Sequence, residues 1–174
     1  ASRILLVKVA NTFPPTDGVG GVKIGNQNLI WRRTKIIVGS AGGVELWYMI
    51  APPVGTYTIT VTFTAPDVPA SAVGASESWY NVAQTAPFGA TADNTATGTS
   101  TAPSVTVVSA AGNVVMDCIG AAGNVTATVG AGQTERYNAI QGTALRGAGS
   151  SEAGAASVVM SWTLSSSVVW ATIG

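Results

Sequence analysis

The last residues of the chain, Ala155–Gly174, read AASVVMSWTLSSSVVWATIG. Val158, Met160, Trp162 and Leu164 alternate with Ser161 and Thr163, a period of two that predicts a strand with one buried face. Ser165–Ser167 form a polar break, and Val168–Ile173 then runs almost wholly apolar, as a strand buried on both faces does. The stretch reads as a β-hairpin closing a β-sandwich.

The rest of the chain follows the same pattern. Thr56–Thr64 reads TYTITVTFT: Tyr57, Ile59, Val61 and Phe63 point one way, and the threonines, Thr58, Thr60 and Thr62 among them, point the other. Threonine suits the pleat because its Cβ is branched. Arg3–Val9, Val22–Gly25, Asn28–Val38, Val44–Ile50 and, more weakly, Ser71–Val82 are predicted strands. Short strands are also predicted over Ser104–Ser109, Val114–Ile119, Asn124–Val129 and Thr134–Ala139, separated by Gly/Asn turns. Ala83–Pro103 is expected to be an irregular surface excursion, and Thr143–Gly154 is rich in Gly, Ala and Ser, with Arg146 and Glu152. The expected fold is all-β, a jelly-roll-like antiparallel β-sandwich of roughly ten to twelve strands, with residues 1–174 forming a single domain.

Charged side chains are 9% of the 174 residues, against roughly 25% in ordinary soluble domains. Eight basic and eight acidic residues cancel, so electrostatic capture of nucleic acid or of an anionic membrane is not expected. Although 47% of residues are apolar, no run approaches the roughly 18 that a membrane span requires. A surface this poor in charge, at zero net charge, promotes association, and a homo-oligomer or a surface covered by neighbouring subunits is the expectation. Ala1 follows no initiator Met and opens no signal-peptide pattern, which fits loss of Met or removal of a leader equally.

Catalytic chemistry finds little footing. There is no histidine, the commonest general base and metal ligand. Cys118, the single cysteine, lies in an apolar run and reads as a small buried residue. Glu45, Glu77, Asp117, Glu135 and Glu152 fall on different predicted strands, with nothing in the sequence to bring any two together as catalytic carboxylates. Asp117, between Met116 and Cys118, calls for a partner: it is expected to face outward or to pair with an arginine. No cofactor and no metal are expected, since Asp17 and Asp93–Asn94 lack the acid density of a Ca²⁺ loop.

Arg32, Arg33 and Lys35 are the one basic concentration, and Arg32 and Arg33, with Glu45, read as charges at the rim of a subunit contact. The row Thr58, Thr60 and Thr62 is an uncharged polar face suited to a wet interface. Trp47 is expected to turn outward beside Glu45, with Leu46, Tyr48 and Ile50 facing the core. There it would serve as a contact residue or, in a carbohydrate-binding reading, as a stacking platform.

RILLVKV near the start, VELWYMIAPPVGTYTITVTFT, TATGTSTAPSVTVVSAAGNVVMDCI, GAGQTERYNA and the closing GAGSSEAGAASVVMSWTLSSSVVWATIG together resemble a family of Thr/Ala/Gly-rich β-sandwich domains found in phage virion proteins and secreted bacterial surface proteins. The resemblance covers nearly the whole chain. It implies a jelly-roll-like domain used for structure or display, partnered by itself or by other virion proteins. A virion location follows from it, with an extracellular or cell-surface filament as the alternative. It carries over no catalytic or binding residue.

Overall fold

The computed structural model describes residues 2–12, 18–37, 39, 42–64, 68–89 and 93–174. At its centre is β1 (Arg3–Asn11), of which every residue after Arg3 is buried. The run RILLVKVAN is apolar on both faces because both faces are covered. Leu5, Val7 and Val9 enter one core, while Ala10 enters another.

The described strands form four antiparallel sheets stacked around β1. The outermost on one side joins β2 (Val19–Ile24), β3 (Gln27–Asn28) and β6 (Ile59–Phe63), in the order β3-β2-β6. Beneath it lie β4 (Ile30–Ile36), β5 (Gly43–Ile50), β1 and β7 (Ala72–Tyr80), in the order β4-β5-β1-β7. The third sheet contains β8 (Thr95–Ser100), β10 (Val114–Met116), β11 (Cys118–Ala122), β13 (Thr134–Gln141), β14 (Leu145–Ala153) and β16 (Val168–Ile173). The fourth contains β9 (Ser104–Val107), β12 (Ala127–Val129) and β15 (Val158–Leu164), with β15 in the middle. One core lies between the first two sheets, around Leu5, Val22, Leu29 and Trp47. A second, with Ala10, Val44, Val73, Cys118 and Ile173, joins the N-terminal strands to the C-terminal ones. The third and fourth sheets enclose Ile119, Trp162, Leu164 and Trp170, with Val105, Val115 and Met160 further along.

Within the third sheet, β10 and β11 are one line of chain. Met116 faces Ser151 and Ile119 faces Ala148 on β14, a single unbroken register interrupted only at Asp117. The other edge of β11 pairs with β16, Cys118 opposite Ile173.

The closing hairpin is as the alternation predicts: β15 buries Val158, Met160, Trp162 and Leu164 and exposes Val159 and Thr163. The all-β expectation holds, but the described residues form sixteen strands rather than ten to twelve. Two of the additional ones lie where the sequence named no strand. Thr95–Ser100, expected to be irregular, pairs along the whole of β16 as β8. Leu145–Ala153, marked in the sequence only by its Gly, Ala and Ser content, is β14, the strand to which β10, β11 and β13 all pair. Both are poor in large apolar side chains, and for β14 the reason is close approach between layers. A Cβ on Gly147 would stand 2.7 Å from Val73, and one on Gly120 of β11 would stand 2.8 Å from Val44. Sheets two and three meet backbone to side chain there, so glycine at these two positions is a packing requirement.

Candidate functional site

Where the second and third sheets diverge they leave a cleft of about 520 Å³. Ile4, Leu6, Leu46 and Trp79 line it from the second sheet, and Val115, Met116, Cys118 and Ile173 from the third. Val107 and Val108 close one side, and the segment Asn81–Gly89 runs along another. Tyr80, Val108 and Val114 stand around its mouth with 75%, 55% and 50% of their surface exposed, a concentration of solvent-facing apolar groups. Asn81 and Ala86, both on the lining segment, hold φ of 58° and 52°. A left-handed backbone at alanine is strained, and such strain gathers where a segment is held for a purpose.

Among the described residues three charged side chains reach the cleft, and each is satisfied inside the fold. Lys8, 2% exposed, donates to Glu77 Oε1 at 2.5 Å and lies 5.8 Å from the centre of the Tyr137 ring. Asp93 accepts from Arg32 at 2.7 Å and from Arg33 at 3.4 Å. Asp117, 1% exposed, accepts from the amide N–H of Ser150 at 2.6 Å, from its hydroxyl at 2.7 Å, and from Trp162 Nε1 at 2.7 Å. Burial pushes its carboxyl pKa up, opposed by these donors and by the positive charge of Lys8. The cysteine beside it is buried too, and loss of solvent pushes its thiol up to about 12. A thiol in that state is a packing group and not a nucleophile.

The residues singled out in the sequence do not converge here. Trp47 and Glu45 are neighbours, as expected, but both are interior, at 8% and 1% exposed. Trp47 Nε1 donates to Glu45 Oε2 at 3.2 Å, and Glu45 Oε1 accepts from the amide of Val19 at 3.1 Å. This corrects the outward placement of both. The alternation along β5 is right, but the face assigned to solvent is covered by β2 and β6, so Trp47 is neither a stacking platform nor a surface contact. Arg32 and Arg33 are half-buried, with their charge directed to Asp93, and Arg32 lies 4.4 Å from the centre of the Phe88 ring. Thr60 and Thr62 are exposed, as the alternation of β6 requires, and so is Thr58 just before it. The tryptophan that faces solvent is Trp31, 51% exposed on β4.

Asp117 differs from its expectation as well: it is interior, and its partners are a serine and a tryptophan rather than an arginine. Of the two loops weighed for Ca²⁺, Asp17 lies outside the described residues, while Asp93 is engaged by the two arginines. The described residues gather no cluster of His, Cys, Asp and Glu able to hold a metal ion, and they form no helix long and apolar enough to cross a membrane. Sequence reasoning missed the cleft because its walls come from several separate stretches; its one local signal is the pairing of Trp79 and Tyr80 at the end of a strand.

Comparison of the chain with protein families, with characterised proteins and with solved structures finds no match.

Proposed function

We propose that this chain is a non-enzymatic structural subunit of a larger assembly. The observation that carries the reading is the apolar rim of Tyr80, Val108 and Val114 around the cleft, on a chain with zero net charge and 9% charged residues. Leaving such a surface in water costs about 25 cal/mol for each Å² of apolar area. Subunit contact removes that cost. The threonine row along and just before β6 supports the same reading, since Thr58, Thr60 and Thr62 offer an uncharged polar face that hydrogen-bonds across a wet contact without desolvating a charge.

The most concrete form is a phage virion protein that decorates a capsid or belongs to a tail or fibre, which the sequence resemblance favours. An extracellular or surface-layer filament of a prokaryote is the alternative, supported by the same surface. Electron cryomicroscopy of the native source material separates them: capsid or tail lattices carrying the chain support the first, a homopolymeric filament the second. A chain that remains monomeric in its source, bound to no particle, contradicts both.

A further inference from the structure

Every described strand of the first two sheets comes from residues 3–80, and every described strand of the third and fourth from residues 95–173. Among the described residues no strand of one half pairs with a strand of the other. Each half also has a core of its own. Leu5, Val22 and Trp47 pack within the N-terminal half, and Ile119, Met160 and Trp162 within the C-terminal half. The halves share one further core, to which Ala10, Val44 and Val73 contribute from one side and Cys118, Leu145 and Ile173 from the other. Two cation–π contacts accompany it: Lys8 lies 5.8 Å from the centre of the Tyr137 ring, and Arg136 lies 4.9 Å from that of Trp79. Gly120 and Gly147 let the two surfaces close on Val44 and Val73. This is the anatomy of an interface between two folded bodies, held by complementary side chains rather than by a common strand ladder.

We propose that this contact is exchanged between copies: the C-terminal half of one chain docks on the N-terminal half of a second copy, through the same side chains that meet within a single chain. The proposal rests on the structural-subunit reading and names the contact by which copies join. The surface itself selects the occupant, because the face carrying Val44 and Val73 is shaped to the glycines of β11 and β14. Exchange conserves that contact. A half arriving from a neighbour buries the same groups as the tethered one, so the connection and the concentration decide between them. A short flexible tether holds its partner at an effective concentration on the order of millimolar, which copies packed in an assembly match.

The connection is suited to opening. Residues 81–89 form no strand. Val82 N–H donates to Ser2 O at 3.2 Å, Gln84 Nε2 donates to Arg3 O at 3.1 Å, and Phe88 stands edge-on to Tyr48. Against these fastenings stands Ala86, held at a φ of 52°. Straightened, residues 81–89 span about 30 Å, and the strain at Ala86 is released. Strained hinges favour exchange.

The test uses two variants of the whole chain. Gly147→Trp blocks the docking face of the C-terminal half and Val73→Trp that of the N-terminal half, and neither residue belongs to a core private to one half. Neither variant alone closes the contact. Mixed in equal amounts, the intact N-terminal half of one and the intact C-terminal half of the other should combine, giving by native mass spectrometry at least about tenfold more dimer than either variant alone. Wild-type chain refolded at high concentration should likewise yield a dimer that persists on dilution and is absent after refolding at about a hundredfold lower concentration. Wild type that refolds only to monomer at both concentrations would overturn the proposal. Folded variants that form no mixed dimer would place any wild-type dimer contact elsewhere and overturn it too. So would variants that unfold outright, since each half would then depend on the other for its fold. A native particle in which every chain closes on itself would remove the exchange and leave the subunit reading standing. A chain that exchanges on refolding but is monomeric in its source would do the reverse.

Discussion

Trp162 Nε1 donates to Asp117 Oδ2 at 2.7 Å, tying the tryptophan of the closing hairpin to the single residue that interrupts the β10–β11 line. The other carboxylate oxygen is filled by Ser150, so one buried acid fixes three strands of two sheets. Replacing Asp117 by Ala leaves three buried donors unsatisfied, and the expected cost is about 3 kcal/mol or more in a urea titration. Asp117→Asn keeps one acceptor oxygen but sets an NH₂ against a donor, with an expected cost of about 1–3 kcal/mol. A loss below ~0.5 kcal/mol for Asp117→Ala would show that the network does not hold the sheets together.

The same acid gives stability a pH dependence of definite sign. Burial raises the folded-state pKa of Asp117 above the ordinary 3.8. Its contribution is then fully present below the unfolded value and is lost as pH rises through the folded value. The amide of the Asp117→Asn variant does not titrate, so the stability of the wild type relative to that variant should be greater at pH 3 than at pH 7. A difference that grows with pH would contradict the assignment.

Lys8 and Glu77 form a pair with side chains 2% and 11% exposed. Glu77→Gln strands a buried ammonium and should destabilise by about 3–5 kcal/mol, whereas Lys8→Met combined with Glu77→Leu should cost about 1 kcal/mol, the hydrogen bond that Trp79 Nε1 donates to Glu77 Oε2. Thermal unfolding of the three proteins decides this. A double variant as unstable as the single one would mean that the pair contributes more than mutual charge compensation.

Gly120 and Gly147 set the distance between the second and third sheets. Gly147→Ala would place a methyl 2.7 Å from Val73, and Gly120→Ala one 2.8 Å from Val44. Each should cost about 1–3 kcal/mol through overpacking, while Gly142→Ala, with open space around it, should show only the smaller effect of its positive φ. Chemical denaturation of the three variants measures the difference, and equal losses at all three positions would contradict the packing role.

Cys118 should not react with a thiol reagent at pH 8 in the native protein and should react fully in denaturant, because its thiol is buried and titrates near 12. Rapid native labelling would show that the floor of the cleft opens.

These sites differ in how far the chain alone discloses them. The hairpin 158–173 and the row 59–63 were legible because alternation records one face in contact with a core and the other with water. β14 was not, because a strand pressed between two layers at glycine spacing carries few large side chains to mark it. The same stacking misplaced Trp47 and Glu45. Period-two alternation distinguishes two faces but does not say that both are covered, and β5 lies in a sheet with neighbours above and below. Asp117 was legible as an acid in need of a partner, but its partners, Ser150 and Trp162, are 33 and 45 residues away. The cleft, whose walls are assembled by the packing of sheets, has no local sequence signature beyond the pair Trp79–Tyr80.

If this chain does its work inside an assembly, electron cryomicroscopy of native source material tests that most directly, with the mass of the purified particle measured first. The predicted result is an ordered array of this chain, with Tyr80, Val108 and Val114 covered. A monomer free in solution, its apolar rim bare at high concentration, would contradict it.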